Sequence, residues 1–319
     1  MEIRNLISFV EVTRRVGFTR AAEHLGYAQS SVTSHVHKLE SGLGVQLFVR
    51  GRDGVALTEA GARLLPYAEK IISLSEEAEE MVGGGAHRRT RFVVGAVETL
   101  ATYRMPDVLR QVRAKFPDLR LSVTFLRCED AADAVDSGRV DMAVVLTAPL
   151  GHQQLRSERI AEERIVLVAA AGHPLATLPE VLPAHLRGEV VLVTSPNCSC
   201  WQVLRRELAP EPTPDHIELG TVEAVKRAVA QGGGLAVIAG VAVDAELRRG
   251  ELVTLPWRPA VDVHSILVHR RTSISDAFRQ VREEIVTVWR RQDAAEPLYV
   301  ATGERGVSRP RRAGVPGAG

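Results

Sequence analysis

FTRAAEHLGYAQSSVTSHVHKLE, residues Phe18 to Glu40, holds two short helical patterns around Gly26-Tyr27-Ala28. The second places Gln29, Ser30, Ser31, Thr33, Ser34, His35 and His37 on adjacent turns, against a stripe of Val32, Val36 and Leu39. Three- and four-residue spacing buries that stripe on one face of a helix and leaves short hydroxyl- and amide-bearing groups on the other. A helix meant only to fill space rarely carries such an outer rim. The first pattern is read as a helix from Thr19, its N-cap, to Leu25, with Ala21, Ala22 and Leu25 inward and Gly26 as a left-handed stop.

Outward from this stretch, Ile3, Leu6, Phe9, Val10 and Thr13 predict a helix over Met1 to Gly17. On the other side, VQLFVRGRDGVALT reads as a hairpin anchored by Leu47 and Phe48, with Arg50-Gly51-Arg52-Asp53-Gly54 at its tip. Helix, helix, tight turn, helix, hairpin is the layout of a winged helix-turn-helix. A recognition helix lies close in the major groove, so its outward residues must be short or offer both donors and acceptors. Gln29 can pair with adenine, and Ser30, Ser31, Thr33, Ser34 and His35 can meet bases or phosphates. Arg20 and Lys38 sit where phosphates would pass, and Arg50 and Arg52 can reach the backbone or the minor groove. A hydroxyl-rich helix start also suits simple capping, and the same geometry occurs in proteins that never touch DNA.

Thr58 and Glu59 open a long helix in which Leu57, Leu64, Ile71 and Ala78 are seven apart, with Leu65, Ile72 and Glu79 beside them. A seven-residue seam suits packing along a partner helix, and Pro66 kinks or weakens its early turns. Gly83-Gly84-Gly85 followed by AHRRT is a linker. Beyond it, apolar runs such as RFVVGAV, DMAVVL, RIVLVAA and VHSILVH alternate with helical patterns, predicting an α/β unit with largely parallel sheets. The closing GERGVSRPRRAGVPGAG, rich in Gly, Pro and Arg, reads as a flexible tail.

The whole chain sets bounds on these readings. Its 319 residues imply two or three compact units, and 45% hydrophobic with 25% charged residues excludes disorder for the bulk. Lys plus Arg is 40 against Asp plus Glu 39, which excludes a uniformly basic surface and leaves room for a basic module. Three cysteines are too few for a disulfide framework. The N-terminal stretch lacks a signal-peptide pattern and no run is long enough to cross a bilayer, so the expected location is cytoplasmic, with no membrane partner.

The stretch from Phe18 to Gly61 resembles the N-terminal signature of the LysR-type transcriptional regulators. The matching residues are Ala21-Ala22, Leu25-Gly26, Gln29, Leu39-Glu40, Leu43-Gly44, Leu47-Phe48, Arg50 and Leu57-Thr58-Glu59-Ala60-Gly61. Ser30 stands where the family often has Pro, Ser34 where it often has Arg, and His37 at a commonly basic position. Fewer fixed charges mean weaker counterion release on phosphate binding. VVGAVETLATYRMPDVLRQVRAKFPDLRLSV, SGRVDMAVV, GHPLA and VEAVKRAVAQGGGLAVIAG resemble stations of the family's effector domain. The resemblance extends to about Arg290.

It implies an α+β multidomain chain: a winged helix-turn-helix with a long linker helix, then a two-lobed α/β domain like the periplasmic binding proteins. The expected boundaries are 1–58 for the DNA-binding head, 59–90 for the dimerisation helix and glycine hinge, 91–295 for the effector domain and 296–319 for the tail. Lobe I would span about 91–161 and 268–291, and lobe II about 162–267. Helix starts favour anions, and the family places three such turns around the effector: Thr99-Leu100, Cys198-Ser199-Cys200 and Thr221-Val222, with Thr147 at the crossover. Helix capping with no ligand is the alternative for each. Trp201 stands where many relatives carry Arg, which points to a more apolar or aromatic effector than a clamped carboxylate.

The implied partners are double-stranded DNA with a partly palindromic site, a carboxylate or aromatic effector, further copies of the chain in a homodimer or homotetramer, and RNA polymerase. No cofactor or metal is expected. CSCW, Cys198 to Trp201, also admits a thiol redox switch, although cysteines two apart close a disulfide poorly. A third alternative is a small-molecule-binding protein whose head only dimerises. Catalysis is not expected: no Gly-rich phosphate loop, G-x-S-x-G elbow or acid–base pair is present.

Overall fold

The computed structural model describes residues 1–51, 54–82, 91–147, 155–209, 212–259, 261–271 and 276–295. The triglycine connection and the tail lie outside them. The head consists of α1 (Ile3–Arg15), α2 (Phe18–Leu25), α3 (Gln29–Leu43), the antiparallel hairpin β1 (Phe48–Gly51) with β2 (Gly54–Leu57), and α4 (Glu59–Val82). Val32, Val36 and Leu39 are buried as their spacing requires, the first two with Val12, Ala21 and Ala22, and Leu39 with Phe9 and Leu47. Gly26 and Gly44 both hold left-handed conformations, φ 67° and 71°, so α3 runs on to Leu43 before its stop rather than ending near Glu40. Thr19 is not an N-cap. α2 begins at Phe18 after Gly17, with no side-chain cap, because α1 ends in a left-handed turn at Val16 that leads directly into it.

α4 starts on Thr58, whose Oγ1 accepts from the Gly61 amide at 3.0 Å and donates to the Gln46 carbonyl at 2.7 Å. A Cβ at Gly61 would collide with the Leu47 carbonyl oxygen, so only glycine lets the helix approach the wing this closely. The heptad seam is largely spent within the chain: Leu57, Leu64, Leu65, Ile71 and Ile72 pack on the head core. Tyr67 and Leu74 remain exposed along the same helix.

The remaining elements build two lobes. In chain order they are β3 (Arg91–Ala96), α5 (Glu98–Tyr103), α6 (Met105–Lys115), β4 (Arg120–Phe125), α7 (Ala131–Asp136), β5 (Met142–Thr147) and β6 (Leu155–Glu163), then β7 (Ile165–Ala170), β8 (Val190–Val193), α8 (Ser199–Leu208), β9 (Asp215–Glu218), α9 (Val222–Ala230) and β10 (Ala236–Ala239), and last α10 (Asp244–Arg249), β11 (Leu252–Thr254), β12 (Val263–Arg270) and α11 (Asp276–Ala295). Lobe I holds a five-stranded sheet in the order β4-β3-β5-β12-β6. In lobe II, β7 lies between β10 and β11, and β8 pairs with β9.

Among these strands, parallel pairing is confined to β3 with β4 and β5, and to β8 with β9. The sheets are therefore mixed rather than largely parallel, because β6 leaves lobe I and β12 re-enters it side by side in opposite directions. β12 is in register from Val263, so the chain regains lobe I there and not at residue 268, and β6 persists to Glu163 rather than ending at 161.

Where the chain crosses between lobes, the buried Arg104 Nη2 lies 2.9 Å from Glu163 Oε2. Ser265 Oγ and the Trp289 indole N–H both donate to Glu163 Oε1. The linker helix rests on lobe I: Lys70 Nζ is 2.8 Å from Asp136 Oδ2, and Arg270 Nη2 donates to Ser73 Oγ at 2.9 Å. Among the described residues, no helix is long and apolar enough to cross a membrane.

His269 on β12 is fully buried, and burial holds its imidazole below the ordinary value although its Nδ1 lies 2.7 Å from the Arg270 carbonyl. The unfolded chain therefore takes up the proton first. Stability is full above the unfolded pKa of about 6.5 and is lost as pH falls toward the folded value. Thermal unfolding should show a lower Tm at mildly acidic pH than at neutral pH, and His269→Gln should flatten that dependence.

Candidate nucleic-acid interface and effector cleft

On the head, Arg20, Gln29, Ser30, Thr33, Ser34 and Lys38 are described, and all six are exposed. The Thr33 hydroxyl donates to the Gln29 carbonyl at 2.9 Å, a bond inside the helix that it can keep while its methyl faces outward. Ser31 is half-buried. His35 is half-buried too, its Nδ1 2.8 Å from Ser8 Oγ on α1 and its ring edge-on to Tyr27 at 5.8 Å. It braces α3 against α1 and sits apart from the outer rim. Arg50 lies in β1, with its side chain outside the described set, as is the whole of Arg52. Tyr27 is exposed in the turn directly before α3. Its position beside Gln29 is a signal that the sequence reading does not use.

Between the lobes runs a cleft of about 820 Å³. Thr99, Cys198, Ser199, Cys200, Thr221 and Val222 all line it, so the three predicted turns do converge. Leu100 does not: it is fully buried in the main core, one residue further round α5. Thr147 closes β5, its side chain outside the described set. Trp201 is 1% exposed and packs in the core beside the His216 ring. It cannot tune the cleft toward aromatic ligands, contrary to what its place after the cysteines suggests. Apolar lining comes instead from Val97, Phe125, Leu126, Leu192 and Val237.

Polar contacts cross the cleft. Glu98 accepts from the Val222 amide with both oxygens, at 3.1 and 3.2 Å. Lys226 Nζ donates to Tyr103 OH at 2.9 Å and pairs with Glu246 and Glu223 at 3.0 and 3.2 Å. Cys128 Sγ lies 3.1 Å from Ser199 Oγ. None of these lobe-to-lobe contacts is visible in the sequence, where the partners stand 71 to 124 positions apart.

The cysteines are free thiols. Burial pushes both the Cys128 and Cys200 thiols up, so at neutral pH each stays protonated, the opposite of an activated redox thiol. Among the described residues, no three His, Cys, Asp or Glu side chains are placed to hold a metal ion.

Comparison with known families gives two matches. Residues 3–62 match the model described as bacterial regulatory helix-turn-helix protein, lysR family, and residues 85–290 match the LysR substrate binding domain. The chain belongs to the LysR family. It is 32% identical over 261 residues to the uncharacterized HTH-type transcriptional regulator YwqM of Bacillus subtilis (strain 168), covering 81% of this chain and 89% of that one. With the HTH-type transcriptional regulator YofA of the same organism it shares 29% over 289 residues, covering 89% and 98%.

A full-length OxyR from Pseudomonas aeruginosa, solved as a cysteine-to-aspartate variant, has the same fold, with a TM-score of 0.72 at 22% identity, covering 91% of this chain and 95% of that one. CbnR in complex with its target DNA gives 0.63 at 19% identity, covering 90% and 100%. The protein is thus a LysR-type DNA-binding transcriptional regulator with an effector-binding domain, and its mixed sheets and two-lobed cleft are that domain's architecture.

Proposed function

We propose that this LysR regulator reads its operator through the outer rim of α3 and is switched by a small organic effector held between the lobes. One observation carries the DNA half. Gln29, Ser30, Thr33, Ser34 and Lys38 stand on the helix whose opposite side is locked down by Val32, Val36 and Leu39. Gln29 would take an adenine edge, the serines and Thr33 short groove contacts, and Arg20 and Lys38 the phosphates, with Arg50 and Arg52 on the wing.

Tyr67 and Leu74, apolar and exposed along α4, support pairing of this helix with the same helix of a second chain. That pairing would set two recognition helices on successive major grooves, and contacts between effector domains would extend the dimer to a tetramer. A reducing cytoplasm and contact with RNA polymerase complete the reading. The cleft would hold an effector whose body meets the apolar lining and whose polar groups meet Thr99, Ser199 and Thr221.

A mobility-shift assay on the DNA upstream of the protein's own gene tests the DNA half. Gln29→Ala should weaken specific binding by about 1–3 kcal/mol, while Lys38→Ala should weaken all sequences alike and reduce the salt slope by about 1. A footprint should cover two half-sites about 10 base pairs apart. Unchanged affinity in both variants would remove α3 as the reading element.

A further inference from the structure

The amino end of α9 is already taken. Of its leading amides, Val222 donates to Glu98 and Ala224 donates to Thr221 Oγ1 at 3.2 Å, while Val225 bonds back to the Thr221 carbonyl. A carboxylate from the other lobe therefore sits where an anionic effector would be expected to bind, and it does so with both oxygens. The amino end of α8, by contrast, begins at Cys198 with no side-chain cap.

A second contact shows that α5 and α9 form a seam. Further along α5, Tyr103 receives the Lys226 ammonium, itself buried and held by Glu246. The two ends of α5 thus carry two polar pins into lobe II, with Tyr103 also packed against the lobe II core.

We infer that Glu98 is the resident anion of the cleft: it fills the α9 amino end, latches the lobes together and turns a carboxylate effector away from that end. The acidic group of an anionic effector is confined to the α8 side, and what approaches Glu98 must be uncharged, donating or cationic. The inference rests on the cleft being the effector site. It assigns Glu98 a specificity role that neither helix capping nor core packing demands, since Thr221 caps α9 without it.

The test is rescue by a small carboxylate. Full-length wild type, Glu98→Ala and Glu98→Gln are unfolded thermally in sodium acetate and in sodium chloride of equal ionic strength. Glu98→Ala should melt lower than wild type in chloride and recover in acetate, with an acetate affinity about tenfold above wild type, the scale of a charge at a helix amino end. Glu98→Gln keeps a neutral acceptor and should gain no acetate response.

An equal acetate effect on all three proteins, or an alanine variant indifferent to both salts, overturns the inference. Hydrogen exchange provides a check that needs no variant to fold: the Val222 amide of the wild type should exchange slowly, and rapid exchange there also overturns it. Operator mobility shifts separate this from the regulatory reading. Acetate rescue in a protein whose operator binding ignores every cleft ligand would uphold the role of Glu98 and remove effector control.

Discussion

Replacing Glu163 by alanine should destabilise the protein by about 3–5 kcal/mol, because it strands the buried Arg104 guanidinium without this carboxylate. Both side chains are almost fully enclosed, at 3% and 1% exposure, so water cannot take over the lost bond. The same change removes the acceptor that the Trp289 indole N–H and the Ser265 hydroxyl now share, Glu163 Oε1. The pair sits where β6 hands the chain to lobe II, so the loss should appear as a lower urea midpoint for the effector domain. Replacing both Arg104 and Glu163 with methionine should cost much less than the alanine variant, since the guanidinium is removed together with its carboxylate. If the single and double variants unfold alike, the network is not what holds the crossover.

Trp201→Ala should cost a similar amount, about 3–5 kcal/mol, for a different reason. The indole is 1% exposed and lies in the main core, beside Leu204 and Leu208 on its own helix. Removing it leaves a cavity that the surrounding side chains cannot fill. Trp201→Arg should do no better here, because the guanidinium would enter an apolar core. Urea unfolding monitored by far-UV circular dichroism gives both values. A change below about 1 kcal/mol in the alanine variant would mean that the site relaxes far more than its packing indicates.

These two residues mark where sequence reading stops, and the head shows where it succeeds. The head is almost wholly legible: Val32, Val36 and Leu39 fall on the buried side, and Gly26 ends α2 in the left-handed turn expected of it. Local periodicity and a glycine stop suffice there, because each helix is defined by its own neighbours. The strands that the apolar runs do not disclose are β6, β9 and β11, the last only three residues long. β6, Leu155–Glu163, is studded with charges, and β9, Asp215–Glu218, has all four residues exposed, so neither shows an apolar run.

The cleft is legible only as a set of turns. Thr221 and Ser199 stand at its wall as expected, yet Glu98, which fills one of those turns, lies 124 residues from Val222 and follows no local pattern. Arg104 and Glu163 likewise carry no local mark of their burial. A buried ion pair is a property of two distant positions at once, and no window of neighbouring residues contains it. Trp201 illustrates the converse error: its place in the chain points to the ligand, while its bulk sends it into the core.

The resting place of α4 on lobe I has a consequence for how a message leaves the effector domain. Lys70 meets Asp136, and Ser73 meets Arg270, without passing through Gly83 to Gly85 at all. Both members of the ion pair are about one-third exposed, so the pair acts as a detent and not a weld, worth about 1 kcal/mol or less. Losing it changes the ratio of parked to released heads by at most about fivefold. A lobe movement too small to reshape the cleft could therefore still alter how many heads are free to find DNA, with salt acting as a second hand on the same catch.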